Sequence, residues 1–164
     1  MFSLDARELV ALTSSADEVP VLPLARNLVF RRCPMPRPSY WEGALALSDL
    51  HHDVAVTIEA GADGPHREQM QIIEEVSARY ICFLSAALVR LKPAFNRYIG
   101  DQRKLQTMDL EFTPVHILIR PFPALDWRLV GLWHMSFRSV SRRELLFAVG
   151  FVGERATSLS VDRD

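Results

Sequence analysis

The stretch GPHREQMQIIEEVSARYICFLSAALVRLKPAFNRYIG, residues 64–100, decides the fold. Met70, Ile73, Val76, Tyr80, Leu84, Leu88 and Leu91 recur at spacings of three and four, which draws one apolar stripe along a helix. Asp63 or Gly64 can cap its start, and Pro65 suits the first helical position. Glu68, Glu74 and Glu75 lie early and Arg90 and Lys92 late, in the sense that opposes the helix dipole. The helix is expected to run to about Lys92. Pro93 then kinks or ends it, and a short helix closed by Gly100 follows.

The flanks on both sides read as strands. WEGALALS (41–48) puts Trp41, Gly43, Leu45 and Leu47 on one side, and DVAVTIEA (53–60) does the same with Val54, Val56 and Ile58. SDLHH between them predicts a hairpin. After the helix, LQTMDLEF (105–112) and VHILIRP (115–121) are separated by Thr113-Pro114, which breaks or bulges the ladder. Trp133, Met135 and Phe137 share a face, with His134 opposite. Leu145, Phe147, Val149 and Phe151 share the next, and TSLSVD (157–162) closes the sheet. RSVSRR and VGERA are the turns. Strands before and after one long helix imply an α+β domain over residues 1–164: a mainly antiparallel sheet of about six strands, packed on one face by the helix. A short N-terminal helix is expected over SLDARELVAL, and the prolines of CPMPRPSYW mark a loop with polyproline character.

Composition narrows the function classes. The chain has 164 residues, enough for one sizeable core, and a net charge of −1, which does not suggest a nucleic-acid binder. Arg31-Arg32 and Arg142-Arg143 are isolated basic doublets. The N-terminus has no basic n-region, and no run approaches the ~20 apolar residues of a membrane span, so a cytosolic protein is expected. Cys33 and Cys82 form no metal motif, and Cys82 reads as a small buried hydrophobe.

Chemical motifs are scarce. His51-His52-Asp53 is the best metal candidate, with His66 and His116 as conceivable partners, but adjacent strand residues point to opposite faces and no zinc spacing occurs. No metal or cofactor is expected. Glu74-Glu75 reads as a solvated helix face, and neither a nucleophile elbow nor a phosphate-binding loop is present. Charge is segregated, however. Glu42–Ser77 holds eight acids against one base, and Ala78–Met108 holds six bases against one acid. Part of this is the helix-dipole pattern. The remainder is an acidic surface suited to a basic partner.

The layout resembles small bacterial α+β immunity proteins that accompany polymorphic or contact-delivered toxins. PSYWEGALALSDLHHDVAVTIEAG (38–61) is similar to their aromatic-glycine first hairpin. Residues 64–100 are similar to their long middle helix with a short follower. LWHMSFRSVSRRELLFAVGFVGERATSLSVD (132–162) is similar to their closing Trp-led hairpins. The resemblance implies a non-enzymatic protein that occludes a cognate toxin, with no nucleic-acid or membrane partner. It transfers no site residue. From exposure and charge, the partner-facing candidates are Glu42, Asp49, His51, His52, Asp53 and Glu68. Two alternatives stand beside it. One is a small hydrolase or ligand-binding enzyme with a pocket between helix and sheet, using His116, His134 and Glu111. The other is a secretion chaperone or adaptor.

Overall fold

A computed structural model describes residues 25–31, 39–47, 50–99, 111–121 and 133–163. The proposed N-terminal helix, Cys33, Asp49 and most of 105–112 lie outside them. The elements are β1 (Ala25–Arg31), β2 (Tyr40–Leu45), β3 (Val54–Glu59), α1 (Arg67–Ile99), β4 (Phe112–Ile119), β5 (Trp133–Ser139), β6 (Leu145–Val152) and β7 (Arg155–Arg163). The class is α+β, and the strands form one sheet in the order β1-β2-β3-β4-β5-β6-β7. Six of these strands carry runs legible in the sequence. The seventh, β1, is an edge strand whose register with β2 shifts between Arg26 and Val29, and its sequence ARNLVFR does not alternate cleanly.

All neighbours pair antiparallel except β3 and β4, which are parallel. The cause is α1. A chain that leaves the end of β3, crosses by a helix and returns beside it must run in the same direction. Thr113-Pro114 does not end a strand. It lies inside β4, and the ladder to β5 is irregular between Pro114 and His116, where proline has no N–H to donate.

Val54, Val56, Ile58, Ile117, Ile119, Trp133, Met135, Phe137, Phe147, Val149 and Phe151 are buried on one side of the sheet, against α1. Two aromatic clusters join the layers. Phe83 meets Trp133 edge-on at 5.3 Å and Phe151 at 5.7 Å, while Trp133 and Phe151 stack at 4.5 Å. Farther along, Phe95 meets Phe112 at 5.4 Å and Phe147 at 6.2 Å. Among the described residues the buried indole N–H of Trp133 has no acceptor, a cost of about 1–3 kcal/mol that the burial of its large ring must exceed.

The start of α1 differs from expectation. The amide of Met70 bonds to the carbonyl of His66, so His66 is the cap and Pro65 precedes the helix. Gly64 sits at φ +107° in a tight turn, its amide bonded to the carbonyl of Gly61. Gln69 is fully buried. Its Oε1 accepts the amide of His66 at 2.9 Å, a capping-box contact, and its Nε2 donates to the carbonyls of Glu59 (2.9 Å) and Arg120 (3.1 Å). One amide thus pins the helix start to the residues that end the two parallel strands.

The helix breaks at Arg79 (φ −135°, ψ 31°), not at Pro93. The guanidinium of Arg79 binds both carboxylate oxygens of Glu154 in the β6–β7 turn and lies 3.8 Å from Glu75. Pro93 is tolerated because it is exposed and the carbonyl it leaves without an amide belongs to Val89, itself on the outer side. Beyond the break the buried face reads Tyr80, Phe83, Ala87, Leu91, Ala94 and Phe95, with Leu84 only half-buried. Cys82 is consequently exposed, about 200° around the helix from Tyr80. Its apolar neighbours suggested burial only because residues 80–89 carry no charge on any face.

Candidate interaction surface

Strand alternation places every second side chain on the sheet face away from α1. The register aligns one rung of small residues across six strands: Ala44, Ala55, His116, Ser136, Ala148 and Ser160. Only His116 is large. The neighbouring rung contains Glu42, Thr57, Leu118 and His134. The result is a shallow trough across the sheet, interrupted by an imidazole and edged by polar groups and Leu118. No described helix covers it.

The centre of this face is polar but partly desolvated. His116 Nε2 and Thr57 Oγ1 share a hydrogen bond of 2.8 Å, and Ser136 is 5% exposed. Burial holds the His116 imidazole below its ordinary pKa. His134 is lowered too, first by burial and then by the positive charge of Arg120 and by His116. Both rings therefore favour the neutral form, with one donor and one acceptor each. That equips the face to hydrogen-bond a partner. Among the described residues no three His, Cys, Asp or Glu side chains converge on a metal position.

Glu111 belongs elsewhere. It is buried, and its Oε1 accepts bonds from Ser139 Oγ (2.5 Å), Ser141 Oγ (2.7 Å) and the Ser141 amide (3.0 Å). It holds the β5–β6 turn, about 16 Å along β5 from His134. The space between α1 and the sheet is filled by the aromatic clusters. A shallow depression of about 310 Å³ lies instead on the outer side of α1, lined by Gln71, Glu74, Glu75 and Ala78.

The partner-facing candidates separate. His51, His52 and Asp53 are exposed together in the bend that leads into β3, and His52 Nε2 donates to the carbonyl of Pro114 at 3.0 Å. Glu42 lies on β2, on the sheet face away from α1, with its carboxylate 2.6 Å from Arg31 Nε. Glu68 is exposed in the first turn of α1, beyond the other end of β3 and in the helix layer. His66 caps that helix and lies far from the His51-His52 bend. Sequence reasoning did not find the trough, because it depends on which strands are neighbours. The only signal available was the alternation that put His134 opposite Trp133.

Among the described residues, no helix is long and apolar enough to cross a membrane. Comparisons with protein-family models, curated proteins and solved structures give no match to this chain.

Proposed function

We propose that this chain is a non-enzymatic, cytosolic binding protein of the immunity type, which neutralises a cognate toxin by direct association and occlusion of its active site. The observation that carries this reading is the sheet face away from α1. It spans about 29 Å across seven strands and about 20 Å along them, on the order of 600 Å² of flat area. Two such faces in contact bury about 1,200 Å², the lower end of a specific interface. Its composition suits the role, with half-buried Leu118 and Leu146 among neutral hydrogen-bonding imidazoles and small side chains. The exposed His51-His52-Asp53 bend at one end of the sheet adds an acidic group for attracting a basic partner. The enzyme reading needs Glu111 to join His116 and His134, and the turn contacts of Glu111 weigh against it.

The test is growth rescue. The product of the reading frame beside this gene is expressed alone and with this chain, and the complex is titrated by calorimetry. Toxicity relieved by a 1:1 complex is expected, with Leu118→Arg weakening it tenfold or more while circular dichroism stays unchanged. A non-toxic neighbour, or an affinity indifferent to Leu118→Arg, removes the basis of the reading.

A further inference from the structure

The outer side of α1 is unusual for an exposed helix. Residues 80–89, YICFLSAALV, contain no charge, and the side they turn to solvent is apolar. Val89 is 72% exposed and Ile81 is 53% exposed, with Cys82 and Ser85 exposed between them. Ser85 Oγ already donates to the carbonyl of Ile81 at 2.8 Å, so its hydroxyl loses no bond if water is withdrawn. A helix surface of this composition is ordinarily covered.

We propose that this face is a self-association surface, on which a second copy of the chain packs its own α1 antiparallel about Ser85. Charge complementarity selects this occupant. In that register each residue faces the one equally far from Ser85 on the other side. Ile81 meets Val89 of the second copy and Val89 meets its Ile81, so both exposed apolar side chains are covered reciprocally, as a two-fold contact requires. Ala78 and Lys92 each stand about 10 Å from Ser85 along the axis and within about 20° of its side of the helix, so Lys92 of one copy faces Ala78 of the other, beside Glu74 and Glu75. The acidic end of one helix therefore meets the basic end of the other. The depression between Gln71, Glu74, Glu75 and Ala78 has room, at about 310 Å³, for a long basic side chain there. The charge segregation along the chain, acidic before Ala78 and basic after it, makes the helix self-complementary in the antiparallel sense and self-repelling in the parallel one.

The contact is small. A strip about 25 Å long and about 10 Å wide buries on the order of 500 Å² in total, which places the dimer in the weak class. It lies in the opposite layer from the trough, so a dimer leaves the trough of each copy available to the proposed partner.

Sedimentation equilibrium of the full chain over about 1–500 µM tests this. A monomer–dimer equilibrium is expected. Val89→Glu should raise its dissociation constant tenfold or more with an unchanged far-ultraviolet spectrum. Glu74→Arg should weaken it, and Glu74→Arg with Lys92→Glu should restore it. In a background with Cys33 and Cys82 replaced by serine, Ser85→Cys should cross-link two copies under mild oxidation, because the two Ser85 positions face each other at the two-fold axis. A monomer across the whole range overturns the proposal. So does a dimer that is indifferent to Val89→Glu, or whose Ser85→Cys form stays uncrosslinked.

Discussion

Replacing Gln69 tests the account of how the helix is joined to the sheet. The side chain is fully buried and makes three hydrogen bonds, to the His66 amide and the Glu59 and Arg120 carbonyls. Gln69→Leu removes all three. At a net value of about 1 kcal/mol each, that is about 3 kcal/mol. Leucine returns about 1 kcal/mol through its greater apolar burial. His66 and Arg120 are exposed residues, so water can reach part of what is freed and the loss stays near this sum. A net destabilisation of about 2 kcal/mol is expected, which lowers the urea midpoint by about 1 M with the slope unchanged.

Gln69→Glu sharpens the test. A carboxylate can still accept the His66 amide, but it then faces two carbonyl oxygens with no proton to give. Its folded-state pKa must rise above the ordinary ~4.3. A raised carboxyl pKa means that the folded state binds more protons in that window. The penalty is therefore complete above the folded pKa and fades as pH falls toward ~4.3. Gln69→Glu should be less stable than Gln69→Leu at neutral pH and recover relative to wild type on acidification. Wild-type stability for Gln69→Leu, or a Gln69→Glu deficit that ignores pH, would refute the reasoning.

Other outcomes follow from the same geometry. His116 and His134 both have lowered pKa values, so below ~6.5 the unfolded chain takes up protons that the folded chain refuses, and stability falls with acid. Denaturant titrations between pH 7 and 5 should show that fall, and His116→Gln with His134→Gln should flatten it. Gly153 opens the β6–β7 turn at φ +57°, and Gly153→Ala should cost about 1 kcal/mol and lower Tm by about 2–4 °C, whereas Gly153→Asn should cost less. Asp49→Lys with Asp53→Lys should slow capture of a basic partner at low salt, and stopped-flow rates that stay the same would detach charge from recognition.

Periodicity made half of this molecule legible. The alternation in Val54-Val56-Ile58 and Phe147-Val149-Phe151, and the three-and-four spacing from Met70 to Leu91, record which face of each element meets apolar surroundings. That is enough to give one helix on one side of a mainly antiparallel sheet. Burial imprints itself on a sequence because each element answers to it locally.

Neighbourhood leaves no such imprint. Only the tertiary structure set β3 beside β4 in parallel, and with it the rung that brings His116 next to Thr57 and Ser136. It put the helix break at Arg79, whose guanidinium pairs with Glu154, 75 residues away, and not at Pro93. It also scattered acids that lie close together in sequence: Glu42 went to the sheet face away from α1, Asp53 to a bend and Glu68 to the helix. The sequence by itself determined which side of each element is apolar, since that depends on the residues of the element alone. Which elements lie side by side depends on how the chain closes and packs over long separations, and that only the folded structure decided.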